Sequence, residues 1–297
     1  MKNKIRIQES PGDRLLLLGI YFYLSICTVM VLYPLIYIVS ASFSSPFSVI
    51  SGQVWLFPKD VTLIGYEVVF RNAQVLIGFA NSFYYAVVGT LVSVSVILMI
   101  AYPLSLKSFY GRNIIMFLLT FTMLFGGGLI PLYLVVKNLH LIDTRWALII
   151  PGALSVYSVI IARTFFQTNI PDELSEAAEI DGCSDMGFLL RIVLPLSKPI
   201  IAVLVLFSAV GFWNAYFDAL LYLKDVDKYP LQLILRNILL LNASENPTNI
   251  SEMMQRQGLA DQMKYALIVI SIVPILVIYP FVQKHFVKGV MIGSLKG

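Results

Sequence analysis

Six apolar stretches, each long enough for a helix to cross a bilayer core, set the frame for this chain; such a crossing takes about 20 residues. They run over 15–41, 79–104, 113–136, 146–166, 200–223 and 265–286. In hydrocarbon every backbone N–H and C=O must find a partner inside its own segment, so stretches of this kind read as helices. The expected fold class is therefore all-α, a polytopic membrane protein with six transmembrane helices. Only 13% of the residues are charged, against about 25% in a soluble domain, and the mean hydropathy is +0.82. The first stretch is too long for a signal-peptide core and reads as an uncleaved anchor. Pro34, Pro103, Pro131, Pro151, Pro274 and Pro280 fall in or at the edges of the stretches. Membrane helices tolerate such breaks when neighbours satisfy the freed carbonyls.

Basic residues near segment ends set orientation. Twelve of the 21 lysines and arginines lie on the side of the N-terminus, beginning with Lys2, Lys4, Arg6 and Arg14. Nine lie on the other side, five of them in one long loop. The bias places residues 1–14 and the tail 287–297 in the cytoplasm, with 15–297 forming a single transmembrane domain. The outer loops are then 42–78 and 224–264. Within the second, the run 231–241 is too short to span and holds Arg236 and Asn237, so it reads as an interfacial or re-entrant helix. The net charge of +4 reflects basic flanks rather than a nucleic-acid partner.

The chain carries no chemistry of its own that the sequence reveals. There is no G-x-x-x-x-G-K-[ST] loop to hold a nucleotide. Gly126-Gly127-Gly128 lacks a following lysine and sits in an apolar stretch, where it reads as a helix break or a close helix contact. Cys27, Cys183, His140 and His285 have no metal or disulfide spacing. Asn242 and Asn249 begin glycosylation-type triplets that are common by chance. No cluster suited to a membrane enzyme is present. A secondary transporter would carry acids or histidines inside its spans, and Asp218 is the only acid within these stretches.

One polar interruption, 167–199, keeps a helical pattern. Asn169 is placed to cap, Pro171 suits a first turn, and Asp172 and Glu173 favour the positive end of a helix. Leu174, Ala177 and Ala178 share one face, with Glu173, Glu176 and Glu179 beside it. Gly182 stops the helix in a left-handed conformation. Ser184 and Asp185 cap a second short helix with Phe188, Leu189, Ile192 and Val193 on its apolar face, ended by Pro195 and Pro199. Two short helices at an angle thus present small and apolar residues, either to a soluble partner or to their own bundle.

Glu176-Ala177-Ala178, three residues, Gly182, nine residues, and Ile192-Val193-Leu194-Pro195 fit the E-A-A-x3-G-x9-I-x-L-P loop of the membrane subunits of ATP-binding-cassette importers. The stretches 126–134, 146–153, 212–218 and 286–297 likewise resemble the MalG-like carbohydrate permeases of the LplC type, so the resemblance covers nearly the whole chain. It implies a type I ABC importer permease fold in the bacterial cytoplasmic membrane, with 171–199 as a cytoplasmic coupling helix. Glu176, Ala177, Ala178, Asp181, Gly182, Phe188, Leu194 and Pro195 are the implied ATPase-coupling residues. The implied partners are a second permease, two copies of an ABC ATPase that bind the ATP and magnesium, an extracytoplasmic solute-binding protein and a saccharide. The glycine-rich tail is implied to reach the ATPase dimer.

A saccharide path needs hydrogen-bonding and aromatic side chains near mid-membrane. The candidates are Asn81, Tyr84, Tyr85, Trp213, Asn214 and Asp218, with Ser82, Thr120, Thr122 and Tyr216 beside them. A permease of the same superfamily handling a peptide or amino acid would show the same loop, so only the wider match to the sugar branch favours a carbohydrate.

Overall fold

The computed structural model describes residues 10–241, 258 and 260–280. The tail 287–297, the loop positions 242–257, both glycosylation-type triplets and residues 1–9 lie outside the described residues. In chain order the long or paired elements are α1 (Pro11–Ser42), α2 (Pro46–Ile50), α3 (Ile64–Arg71), α4 (Ala73–Ser105), α5 (Arg112–Leu124), α6 (Leu129–Asn138), α7 (Trp146–Gly152) and α8 (Val156–Asn169). They continue as α9 (Asp172–Ile180), α10 (Asp185–Phe188), a π-turn at Leu189–Val193, α11 (Leu194–Leu196), α12 (Lys198–Trp213), α13 (Phe217–Tyr222), α14 (Leu231–Leu241) and α15 (Ala260–Pro280). Regular structure among the described residues is helical throughout.

Three helices are long and apolar enough to cross a membrane unaided: α1, α4 and α15. Three further crossings form if bent pairs count as one span: α5 with α6 at 115°, α7 with α8 at 50°, and the helical stretch Asp185–Leu196 with α12 at 84°. The apolar stretches 113–136, 146–166 and 200–223 are each broken, and the helix break expected at Gly126–Gly128 is one of these breaks. Gly126–Gly128 supplies the first, with Gly128 at φ +87°. Leu154 and Ser155 interrupt the second, and Ser155 then caps α8. The fifth stretch ends at Trp213 and resumes at Phe217. Asn214 sits at that break, a residue whose amide competes with the helical ladder.

The described residues pack as two compact units. The first runs to Arg71 and takes in the last helix up to Ile270. Its α1 opens on a reciprocal cap, with the Asp13 N–H donating to Ser10 Oγ at 3.2 Å and the Ser10 N–H to Asp13 Oδ2 at 3.1 Å. Almost the whole of α1 is exposed, and only Ser40, Ala41 and Ser42 are buried. A knot of serines ties the end of α1 to the following loop. Ser40 Oγ donates to the Leu56 carbonyl at 2.6 Å, and the Lys59 N–H donates to Ser44 Oγ at 3.0 Å. Gln262 Nε2 donates to the Ser44 carbonyl at 2.6 Å.

The second unit is built on α4, against which α12, α8, α14 and α7 all pack. Gly89 lets α12 come close: a Cβ there would stand 2.7 Å from the Phe212 ring. Without hydrophobic pressure between helices in lipid, such small-residue contacts carry helix association. Ser93 and Ser208 share a hydrogen bond of 3.2 Å along the same pair. The apolar core of this unit lies in two clusters. One gathers Ile97, Ala101 and Leu104 of α4 with Ala162 and Phe166 of α8. The other gathers Tyr85 with Leu148, Ile149, Ala219 and Tyr222.

Candidate functional site

The stretch after α8 folds as two short helices joined by a tight turn. Pro171 is the N-cap of α9 and gives it no side-chain bond. Asn169 caps nothing, contrary to expectation. Its Nδ2 donates back to the Phe165 carbonyl at 3.1 Å and to Thr168 Oγ1 at 2.8 Å, which closes α8 instead. At the other end of α9, Gly182 takes φ +70°. The Cys183 N–H then reaches the Ala178 carbonyl at 2.9 Å and the Gly182 N–H the Glu179 carbonyl at 3.0 Å. That pair of bonds is the Schellman motif, which needs a left-handed residue between helix and exit. Ser184 caps α10 by accepting from the Gly187 N–H at 3.2 Å. Pro195 does not end the second helix. The chain stays helical through Leu196 and turns by 84° about Ser197, with Pro199 in the first turn of α12.

Burial divides the stretch into two faces. Ala178, Phe188, Leu189 and Val193 are buried in the cluster made by the C-terminal half of α4 and by α8, with Leu194 half-buried against it. Glu176, Ala177, Asp181, Gly182 and Pro195 are exposed. Leu174 and Ile180 are 38% and 87% exposed, on the same side of α9 as Ala177 by the three-residue spacing. The apolar residues of the loop therefore serve both uses that the sequence left open. One row packs on the bundle, and a second runs from the partly covered Leu174 through Ala177 to Ile180, which is almost fully open.

The helices that flank the loop are tied to the end of α4 by residues whose sequence signal was only positive charge or polarity. Arg163 Nε donates to the Leu104 carbonyl at 2.8 Å, Gln167 Nε2 to the Ser105 carbonyl at 3.3 Å, and Arg112 Nη1 to the Leu106 carbonyl at 3.1 Å. These are the carbonyls that the end of α4 leaves without helical partners. Lys107 pairs with Asp172 at the start of α9 at 2.5 Å.

A second polar constellation lies at the N-terminal half of α4. Tyr84 and Tyr102 are 18 positions apart on that helix, about 27 Å along its axis. Asn81 is buried, and its Nδ2 donates to the carbonyls of Asp227 and Tyr229 at 2.7 and 3.1 Å. Tyr85 is buried and donates to the Lys228 carbonyl at 2.8 Å, while the Leu231 N–H donates to Ser82 Oγ at 2.8 Å. Segment 227–231 is thus sewn onto α4. Asp143, at φ +61°, completes the seam. Its Oδ1 accepts from the backbone N–H groups of Lys224 and Asp225 at 3.0 Å each. Lys228 Nζ stands 3.4 Å from its Oδ2. The amide donors of Asp225 and Lys224, and then the Lys228 ammonium, hold the Asp143 carboxyl below the usual carboxylate range.

Of the path candidates, Asn81, Tyr85 and Trp213 have their polar atoms committed internally. Trp213 is buried, donates from Nε1 to the Ser271 carbonyl at 3.0 Å, and meets Phe79 edge-on. Tyr84 is half-buried, with the Arg145 guanidinium 4.8 Å above its ring. Asn214 and Asp218 are exposed, as is Tyr216 between them. Arg145 itself carried no site signal in the sequence, where it reads only as a basic residue beside Trp146. Among the described residues no three histidines, cysteines, aspartates or glutamates come together to hold a metal.

A family model described as binding-protein-dependent transport system inner membrane component matches residues 74–292. The chain is 46% identical over 267 residues to the protein LplC of Bacillus subtilis, covering 89% of each chain. It is 42% identical over 286 residues to the polygalacturonan/rhamnogalacturonan transport system permease protein YtcP of the same organism, covering 96% of this chain and 99% of that one. Among solved structures, a chain of a bacterial ABC transporter involved in the import of the acidic polysaccharide alginate superposes with a TM-score of 0.86 at 33% identity. That match covers 95% of this chain and all of the other.

Proposed function

Because this chain belongs to the binding-protein-dependent transport system inner membrane components, we propose that the 171–199 stretch is the part through which a separate ATPase drives it. The chain is a permease of a carbohydrate ABC import system, a transport subunit and not itself an enzyme. A binding protein and an ATPase are the partners that the family implies.

The observation that carries the coupling role is the division of α9 into two faces. Ala178 is buried on the bundle, while Ala177 and Ile180 are exposed beside Glu173 and Glu176, with the partly covered Leu174 at their edge. An apolar row of that kind on an otherwise acidic short helix fits a cleft in a soluble partner that offers basic groups at its rim. Ala177 is small, so the helix backbone comes close to whatever covers it. Motion of α9 passes to α4 and α8 through Ala178, Phe188 and Val193, and to α12 through the bend at Ser197.

With this stretch and both termini in the cytoplasm, the seam around Asp143 and Lys228 faces outward. The chain pairs with a second permease around a shared path and meets two ATPase copies, one of them through α9. Tyr84, Asn214, Tyr216 and Asp218 are the path-facing set, since Asn81, Tyr85 and Trp213 hold the fold. The names of YtcP and of the solved importer specify acidic polymers, polygalacturonan/rhamnogalacturonan and alginate, while relatives at 25–27% identity are named for the neutral arabinooligosaccharides and for melibiose, raffinose and stachyose.

The test is copurification. The detergent-extracted chain brings an ATPase with it, and Glu176→Lys loses that ATPase while remaining in the membrane. A chain that transports saccharide alone in liposomes overturns the reading.

A further inference from the structure

Arg145 is a cation of the seam whose charge meets no carboxylate among the described residues. Asp143 and Lys228 beside it are engaged with each other and with the backbone. Asp143 spends one carboxylate oxygen on two backbone N–H groups and turns the other toward Lys228. Lys228 also lies 3.2 Å from Asp225 and donates to the Asp143 carbonyl at 2.8 Å. Arg145 forms no ion pair among the described residues, and it is exposed.

Its guanidinium is nevertheless held in place from two sides. Nη2 donates to Asn81 Oδ1 at 3.2 Å, and the group lies over the Tyr84 ring at 4.8 Å. Asn81 cannot swing away, because its Nδ2 is pinned by two backbone carbonyls. That arrangement also fixes which amide atom faces Arg145. An arginine carries five N–H donors in a rigid fork. One is used here, so the remaining edge is presented to solvent in a set orientation. A positioned guanidinium on an aromatic face recognises a planar anion without the entropic cost of ordering a free side chain.

We propose that Arg145, positioned by Asn81 and Tyr84, binds the carboxylate of a uronic-acid unit as an acidic saccharide enters the permease. The inference rests on the carbohydrate reading and narrows it to charged cargo. A neutral sugar hydroxyl gains little from a full charge in this place, whereas a carboxylate gains a paired, two-point contact. Tyr84 contributes its ring to Arg145, so it acts here as a positioning residue.

The experiment uses the complete reconstituted assembly with its binding protein. ATP hydrolysis is followed against concentration for a trigalacturonate and for its carboxyl-reduced, neutral counterpart, in the native chain, Arg145→Gln and Arg145→Lys. Retention of the binding protein is measured alongside. A charge-assisted contact to a carboxylate predicts that Arg145→Gln raises the half-maximal trigalacturonate concentration by about tenfold. Arg145→Lys raises it less, and the response to the neutral saccharide and the basal rate do not move. Equal shifts for both saccharides, or none, overturn the proposal and leave the carbohydrate reading intact. Loss of binding-protein retention without saccharide selectivity assigns Arg145 to protein docking and also overturns it. A native assembly that answers to no saccharide, charged or neutral, overturns both.

Discussion

The backbone N–H of Cys183 meets the carbonyl of Ala178 at 2.9 Å, and the chain between them turns through Gly182 at φ +70°. A Cβ at Gly182 would touch nothing within 4 Å. The requirement there is therefore backbone conformation alone, which costs an ordinary residue about 1–2 kcal/mol. Gly182→Val is expected to insert normally, to open the turn and to lose the bound ATPase, with transport falling in step. Gly182→Asn, which enters the left-handed region more readily, is expected to retain most of both. Pull-down of the ATPase and uptake in vesicles read the two variants together. A valine variant with full ATPase retention and full transport would remove the turn from the coupling role.

Glu176 stands exposed on α9 with no partner among the described residues. Reversing its charge leaves packing untouched, so thermal stability of the isolated chain is expected to change by less than about 0.5 kcal/mol. ATPase binding and substrate-stimulated hydrolysis are expected to collapse. A stability loss as large as the functional one would mean that Glu176 supports the fold instead.

Phe188 behaves in the opposite way. It is only 4% exposed and sits among Tyr102, Phe166 and Val193. Phe188→Ala is expected to cost about 3–5 kcal/mol of stability, seen as a lower melting temperature in detergent before any ATPase is added. If stability holds and only ATPase binding is lost, Phe188 belongs to the docking face.

Asp143 gives a pH dependence with a definite sign. Its carboxyl is held below the usual range, first by the N–H groups of Asp225 and Lys224. A depressed carboxyl stabilises the seam above the unfolded value of about 3.9, and that contribution is lost as pH falls through the lower folded value. Protection of the Lys224 and Asp225 amides from hydrogen exchange is expected to be flat from neutral pH down to about 4, and to fail below it. In Asp143→Ala protection is expected to be low throughout. Loss of protection starting above pH 5 in the native chain would contradict the assignment.

How much of this was legible in the sequence varies with the physics involved. The loop 171–199 was readable in detail, because Gly182, Ser184 and the spacing of small and apolar residues act locally. The turn, the second cap and the buried row at Phe188, Leu189 and Val193 follow from them. The breaks in the spans were readable only in part. Gly126-Gly127-Gly128 marks the first by its backbone freedom, but hydropathy reports only that a segment is apolar, and neither the 115° size of that bend nor the breaks at Leu154–Ser155 and Asn214 change that average. Nor were Asn81 and Tyr85 separable from Tyr84, since each is a polar or aromatic residue at the head of the same helix. Which of them is consumed by segment 227–231 depends on contacts across nearly 150 positions. Arg163 and Gln167 looked like flank residues for the same reason: the α4 carbonyls that they cap are 59 and 62 positions away.

The proposed link from the Leu174–Ala177–Ile180 row and Glu176 to a separate ATPase is tested most directly by saccharide-stimulated ATP hydrolysis of the full assembly in proteoliposomes, measured with the native chain and with Glu176→Lys. Hydrolysis that rises with saccharide and loaded binding protein in the native assembly, and shows no saccharide response in the variant because the ATPase is no longer held, is the predicted result. Equal stimulation in both, with the ATPase bound normally to the variant, would contradict the account.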